Sequence, residues 1–109
     1  MNEEVKKNEQ YMEVVPAADI IDSEKNAVIS LEVPGANSQT VKVEVKDQIL
    51  SMEALSSLTY HGMQLLYKRS FQLSNAVDVE NISAKTQDGV LTVTLPKSER
   101  AKVHRIQVQ

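Results

Sequence analysis

Asp88-Gly89-Val90-Leu91-Thr92-Val93-Thr94-Leu95-Pro96 is the stretch of this sequence that decides the fold. An Asp-Gly pair is typical of a tight hairpin turn. Six β-formers follow it, and Pro96 ends the run because proline cannot donate a hydrogen bond to a sheet. Since side chains alternate along a strand, Leu91, Val93 and Leu95 share one face. The stretch therefore predicts a strand with one apolar face that leaves a hairpin.

Several upstream segments show the same period of two. In Val41–Lys46 three valines alternate strictly with three charged residues, which is the strongest strand pattern in the chain. Further strands are predicted over residues 18–21, 27–33, 49–54, 67–73, 82–86 and 88–95, and one helical turn over 78–81. We expect disorder in residues 1–13, and residues 55–66 show no sustained period. Roughly seven short strands at regular spacing are typical of a β-sandwich.

Composition restricts the classes of function. The chain has 109 residues, a formal net charge of -3 and no cysteine. This length predicts one domain, and the charge argues against a nucleic-acid partner because phosphate binding requires a basic surface. No run of 18 apolar residues predicts a membrane span, and the polar N-terminus does not have the pattern of a secretory signal. These features favour a cytoplasmic protein that binds neither nucleic acid nor membrane.

Six pieces of the sequence, taken in order, carry a resemblance to a known family. They are 16–22, Leu31–Gly35 with its Pro-Gly break, 41–45 with 49–54, Arg69–Leu73, Ala84-x-x-x-Asp88-Gly89-Val90-Leu91 with Leu95–Lys97, and Ile106–Val108. Together they resemble the small heat shock protein (α-crystallin) family over roughly residues 16–108. The resemblance implies an all-β, immunoglobulin-like two-sheet antiparallel β-sandwich, the α-crystallin domain. It divides the chain into a polar arm (1–15), the sandwich (16–97) and a C-terminal tail (98–109).

The resemblance also implies a function. Family members are ATP-independent holdases that bind partly unfolded client proteins, prevent their aggregation, and assemble from dimers. The expected partners are therefore unfolded clients and other copies of this chain or a paralogous small heat shock protein, with no cofactor. The alternative is a co-chaperone or adaptor sandwich that binds one specific protein through a sheet edge, as CS-domain co-chaperones do. The short polar arm favours the adaptor, and the Ile106-Gln107-Val108 tail favours the holdase.

Tail docking predicts two sets of site residues. Ile106 and Val108 are two residues apart, so in an extended tail their side chains point the same way, ~6.6 Å apart. They are expected to dock in a groove between strand 41–46 and the segment 79–86. The groove residues expected from alternation are Val41, Val43, Val79 and Ser83, with Ala84 facing the core.

Other residues are assigned structural or interface roles. The resemblance gives these roles to Arg69, Phe71, Ala84, Gly89 and Leu91. For Arg69 two interpretations stay open: a snorkelling side chain, or an ion pair near a subunit contact. The apolar cluster of Tyr60, Met63, Leu65 and Leu66 is either core cover or a partner-binding patch.

No pattern in the sequence indicates catalysis or metal binding. His61 and His104 have no ligand-type neighbour at a suitable spacing, and the carboxylate pairs at Asp19/Asp22 and Asp78/Glu80 lack apolar walls. The protein is therefore predicted not to be an enzyme. Residues 55–66 are also short for the loop whose strand is exchanged between dimer partners in the family.

Overall fold

A computed structural model describes residues 10–98 and 105–109. These residues form eight strands: β1 Tyr11–Val14, β2 Ala18–Asp22, β3 Asn26–Glu32, β4 Val41–Lys46, β5 Ile49–Tyr60, β6 Met63–Gln72, β7 Ser83–Gln87 and β8 Val90–Pro96. A single 3-10 turn, Val79–Asn81, links β6 to β7. The described part of the chain contains no helix with the length and apolar character needed to cross a membrane.

The strands form two four-stranded sheets, with the orders β1-β6-β5-β4 and β2-β3-β8-β7. Every pairing is antiparallel except β1 with β6, which is parallel. The predicted two-sheet β-sandwich is therefore confirmed. The four edge strands are β1, β4, β2 and β7, and their positions decide where the sandwich is open.

The core lies between the two inner faces. Its buried apolar residues come from alternate positions of β3, β5, β6 and β8 and from the ends of those strands: Ile29, Leu31, Val33, Leu50, Met52, Ala54, Tyr67, Leu73, Leu91, Val93 and Leu95. The three β8 residues that the sequence placed on one face are all buried, at 3% exposure or less. Leu31 pairs with Leu91 across the sheet, so the Asp88–Pro96 stretch supplies the middle of the core.

The Pro34-Gly35 break has a specific structural role. The Pro34 carbonyl accepts hydrogen bonds from Ser56 Oγ (2.7 Å) and from the Tyr67 hydroxyl (3.1 Å), and the Gly35 carbonyl accepts one from Ser57 N (2.9 Å). Gly35 has φ +85°, and a Cβ there would lie 2.1 Å from Ser56 Oγ. The turn is therefore fitted closely against β5, and only glycine satisfies both its backbone conformation and its space.

Residues 55–66 are not a loop, which corrects the expectation from the sequence. They extend the β5–β6 hairpin to a two-residue turn, His61-Gly62, whose φ angles are +50° and +78°. The register shifts between Leu55 and Thr59, where the strand bulges. Extra residues in a bulge interrupt the period of two, so the alternation that marks a strand is hidden in the sequence.

Part of the predicted N-terminal arm, residues 1–15, forms a strand. Residues 1–9 lie outside the described part of the chain, but Tyr11–Val14 form β1 and pair in parallel with Gln64–Tyr67. Val14 packs against the core, and Glu13 lies 3.5 Å from Lys68 Nζ. The disorder expected for residues 1–13 is therefore wrong for residues 11–13. Four residues carry too little pattern to indicate a strand whose partner lies some fifty positions away.

Candidate functional site

The sandwich is open at two margins: one between the edge strands β4 and β7, and one between the edge strand β2 and the part of β6 that lies beyond its pairing with β1. We call the space between β4 and β7 the β4–β7 groove, and the space between β2 and the C-terminal half of β6 the β2–β6 pocket. An edge strand carries unpaired backbone N–H and C=O groups that can pair with an added strand. At both margins these groups lie beside apolar side chains, so each margin can bind an extended polypeptide.

The β4–β7 groove has a volume of about 290 Å³. Its lining residues are Ser38, Val41, Val43, Ala84, Lys85, Thr86 and Leu91. The half-buried Val41 and Val43 form the β4 wall, and the charged residues of β4 point to the outer face. The alternation in Val41–Lys46 thus places two valines of β4 in a groove at the edge of the core.

Ser83 and Val79, which were predicted to line the groove, lie outside its lining, and Ala84, which was predicted to face the core, lines the groove. Ala84 pairs with Val93, which puts it on the inner face as expected, yet it is exposed and lines the groove instead of the core. The reason is that the opposite sheet ends at β4 and leaves the inner face of β7 uncovered. Ser83 alternates with Ala84 and does not line the groove. Val79 is in the 3-10 turn, 44% exposed, and is also outside the lining.

Thr86 is a groove residue that the sequence reasoning missed. It pairs with the buried Leu91 and shares the inner face of β7 with Ala84. The sequence does contain the information, because side chains two positions apart on a strand point to the same face, so Thr86 must share the face of Ala84. The error came from assigning the groove to the wrong face of the strand.

The tail motif does not occupy this groove within a single chain. Ile106 and Val108 are 87% and 90% exposed. The tail is thus presented to solvent.

The β2–β6 pocket is larger, at about 410 Å³, and more apolar. Its lining comes from both sheets and from the segment after β6: Ile20, Asp22, Ala27, Ile29, Phe71, Gln72, Leu73, Ser74, Ala76, Val77, Leu95 and Lys97. Lys97 Nζ lies 2.8 Å from the Asp22 carboxylate at the rim. On the neighbouring edge strand Ile20 is 54% exposed and Ile21 is 63% exposed. No motif or pattern in the sequence predicted the β2–β6 pocket.

Arg69 lies on β6, two residues before the pocket residue Phe71. Its Nη1 donates a hydrogen bond to the Pro16 carbonyl (3.0 Å), and its guanidinium lies 4.9 Å from the centre of the Phe71 ring. Pro16 is buried in the segment that crosses from β1 to β2. The observed partners of the half-buried Arg69 are thus a backbone carbonyl and an aromatic ring, and together they fix the crossing between the sheets.

We expect Arg69→Ala to lower the free energy of unfolding by about 2 kcal/mol, because it removes a charge-assisted hydrogen bond and a cation–π contact. Urea denaturation measures the change. The matched control is Lys68→Ala, since Lys68 has only an exposed ion pair with Glu13 and should cost roughly 0.5 kcal/mol or less. An Arg69→Ala protein as stable as the Lys68→Ala protein would contradict the assignment.

The predicted apolar cluster near the hairpin tip is divided between two environments. Leu65 packs against the core, and Met63 and Leu66 are half-buried. Tyr60 is 55% exposed, and its neighbour Leu58 is 46% exposed. Core cover therefore describes Leu65, while Tyr60 and Leu58 leave a small exposed apolar surface at the tip.

Side chains of the metal-ligand type are dispersed within residues 10–98 and 105–109. No three His, Cys, Asp or Glu side chains within them are grouped so that they could hold a metal ion. His61 lies exposed in the hairpin turn, and His104 is outside the described residues. The residues that the structure does bring together are apolar and are accompanied by unpaired strand edges.

The fold is thus a two-sheet β-sandwich with two open margins that apolar side chains line in part. The family model described as "Hsp20/alpha crystallin family" matches residues 19–109, and the chain belongs to this family. The small heat shock proteins of this family are chaperones that act without ATP and are not enzymes. The resemblance inferred from the six motifs is confirmed.

Individual relatives agree with this assignment. The chain is 34% identical over 104 residues to the probable 15 kDa heat shock protein of Leptospira interrogans, covering 88% of this chain and 79% of the relative. It is 26% identical over 103 residues to small heat shock protein C4 of Rickettsia felis, covering 85% of this chain but only 63% of that protein. This chain thus spans less than two thirds of the length of C4.

Solved structures show the same sandwich. A small heat-shock protein from Xylella fastidiosa is 25% identical with a TM-score of 0.69, over 88% of this chain and 97% of that one. Heat shock protein 16.0 from Schizosaccharomyces pombe has the same TM-score at 20% identity, over 88% and 99% of the two chains, and supports the fold alone.

Proposed function

We propose that this protein is an ATP-independent holdase that binds partly unfolded proteins at the open margins of its sandwich. The observation that supports this most strongly is the combination of unpaired edge strands with apolar lining at the β4–β7 groove and the β2–β6 pocket. An unfolded segment offers both free backbone groups and exposed aliphatic side chains, so it fits both features of a margin. The proposed partners are such clients and other copies of this chain, in the cytoplasm.

The binding energy at one margin is small. Burying two branched side chains contributes about 1.5–3 kcal/mol each. Ordering of the segment and loss of translational freedom offset much of this gain. A single engagement is therefore weak and reversible, and firm holding requires several engagements at once. This is the behaviour expected of a holdase, which must release its client for refolding.

The C-terminal tail is proposed to compete with clients for the β4–β7 groove. Ile106 and Val108 would insert beside Val41 and Val43 of another copy, with Ala84 and Thr86 on the opposite wall. Several such contacts would join copies into an oligomer. The small heat-shock protein from Xylella fastidiosa is described as having "a distinct high order structure", which is consistent with assembly in the family.

Replacing Ile106 and Val108 with serine is expected to shrink the oligomer to its smallest unit, because the tail then has no apolar side chains to dock. Native mass by multi-angle light scattering measures the effect. The matched control replaces Gln107 and Gln109 with serine, which alters the same segment and leaves the two aliphatic residues. Equal mass for the wild type and the double serine variant would count against tail docking.

The proposed function is tested by heating several unrelated proteins with and without this protein in the absence of ATP, and recording light scattering. Suppressed scattering for most of them at near-equimolar ratio is the expected result. If none is protected while one specific protein binds stably, the adaptor function replaces the holdase function.

A further inference from the structure

The β2 strand has less protection from lysine than the edge strands β4 and β7. Natural edge strands avoid unwanted pairing by carrying lysine or proline, by being short, or by bulging. β4 has Lys42 and Lys46 on its exposed face, and β7 has the exposed Lys85. β2 contains no lysine or proline, and its two isoleucines, Ile20 and Ile21, are both more than half exposed. This edge is therefore suited to accept a strand.

The two margins also differ in charge. The surroundings of β2 are acidic on balance, because four exposed carboxylates, Asp19, Asp22, Glu24 and Glu32, lie on β2, β3 and the turn between them, against one exposed lysine in that turn, Lys25. Asp22 is paired with Lys97, whereas no basic side chain lies within ion-pair distance of Asp19 among the described residues. Each site has one lysine in its lining, but Lys97 of the β2–β6 pocket is paired with Asp22, whereas Lys85 of the β4–β7 groove has no carboxylate within ion-pair distance in the part of the chain that the structure describes. A basic segment is therefore attracted to β2 more than to the groove.

The register of β2 places Ile20 and Asp22 on the inner face, where both line the β2–β6 pocket, and Asp19 and Ile21 on the outer face. Ile20 pairs with the buried Ile29, so it points to the inner face and lines the β2–β6 pocket. Asp19 pairs with Ser30 and points to the outer face. A strand added beside β2 would direct alternate side chains inward to the pocket and the others outward beside Asp19. Aliphatic residues suit the inward positions, and lysine or arginine suits the outward ones.

We propose that the β2 edge and the β2–β6 pocket form a client site selective for extended segments in which aliphatic residues alternate with lysine or arginine. This inference rests on the proposed holdase function and specifies which client segments bind at this margin. Segments with acidic residues at the alternate positions are disfavoured, because they place like charges beside Asp19. Asp19 and the neighbouring carboxylates favour basic over acidic segments, and burial of aliphatic side chains in the pocket provides most of the binding energy.

The test compares two dye-labelled nine-residue peptides in which isoleucine or valine alternates with lysine in one and with glutamate in the other. Fluorescence anisotropy at physiological ionic strength, where the Debye length is about 8 Å, should give about tenfold tighter binding of the lysine peptide, because the glutamate peptide replaces attraction to the exposed carboxylates with repulsion. Asp19→Lys is expected to remove or reverse this preference. Ile20→Lys is expected to weaken binding of both peptides, because it removes a pocket residue and places a charge on the edge.

The matched control is Glu53→Lys, which makes the same change in net charge on the outer face of the other sheet. It should alter the peptide preference by less than about twofold, because exposed charges more than a Debye length apart are screened. Equal effects of Asp19→Lys and Glu53→Lys would overturn the proposal, since net charge alone would then explain the preference. Circular dichroism verifies that each variant is folded.

Two further outcomes distinguish this inference from the proposed function. If the wild type suppresses aggregation but binds both peptides equally, the selective site is wrong and the holdase function stands. If a second copy covers β2, the lysine peptide will fail to bind and Ile20→Lys will halve the native mass, which also overturns the proposal. Absence of any suppression of aggregation refutes the holdase function itself.

Discussion

Gly35→Ala is expected to lower the free energy of unfolding by about 4 kcal/mol, the largest effect of any conservative change that we describe. The positive φ of +85° alone costs an alanine about 1 kcal/mol or more. The new Cβ would also lie 2.1 Å from Ser56 Oγ, and Ser56 is only 1% exposed. Its displacement breaks buried hydrogen bonds to Pro34 and Leu58, each worth about 1–3 kcal/mol when a partner is stranded. Chemical denaturation measures the loss.

Gly62→Ala is the matched control for this substitution. Gly62 has a similar φ of +78°, but no atom lies within 4 Å of the position that a Cβ would take. It should therefore show the backbone cost alone, about 1 kcal/mol. The difference between the two variants isolates the fit of the Pro34-Gly35 turn against β5. Equal losses at the two glycines would mean that the turn is not fitted as described.

Leu91→Ala should lower the free energy of unfolding by about 3 kcal/mol, in the range measured for leucine truncation in tightly packed cores. Leu91 is 1% exposed, pairs with Leu31 and Thr86, and contributes to the floor of the β4–β7 groove. The cavity left by alanine therefore weakens the core and the groove together. Thermal unfolding by calorimetry is the measurement.

Thr92→Ala provides the comparison, since it is the next residue on β8 and points to the opposite face. Thr92 is only half-buried, so its truncation should change the free energy of unfolding by roughly 1 kcal/mol or less. If side chains alternate between the inner and outer faces of β8, Leu91→Ala must lower the free energy of unfolding more than Thr92→Ala. Similar losses at both positions would contradict the assignment of inner and outer faces.

Much of the sandwich could be predicted from the sequence, because strands buried on one face carry a period of two. β4 was predicted with its observed bounds, and β8 with its apolar residues on the correct side. In both strands the pattern is uninterrupted, and turn residues or proline fix the ends. Glycines at the Pro34-Gly35 and Asp88-Gly89 turns occupy positive φ, which explains why these pairs mark the ends of strands.

The missed elements depend on information that a local pattern does not contain. The β5–β6 hairpin continues through Leu55–Thr59, where a bulge shifts the alternation by extra residues. β1 is held by a parallel pairing with β6 and by one valine in the core, both of which are long-range. Neither feature can be derived from the order of apolar and polar residues within a short window.

The candidate sites were predicted to different extents. The β4 wall of the β4–β7 groove followed from alternation in Val41–Lys46 together with the family resemblance. The β7 wall of the groove was predicted on the outer face of β7, because Ala84 on the inner face was expected to be buried. The inner face of β7 is in fact uncovered, since β4 is the last strand of the opposite sheet. The β2–β6 pocket could not be predicted from the sequence. It exists because β1 pairs only with Gln64–Tyr67 and leaves the C-terminal half of β6 without a neighbour on that side.

Hydrogen exchange of the protein while it holds a heat-denatured client tests most directly whether clients add to the open sheet margins. We expect amide exchange to slow by about tenfold or more in β2, β4 and β7, with little change in the central strands β3 and β8, which are already paired on both sides. A client held in solution with no slowing at any of these edge strands would contradict the account.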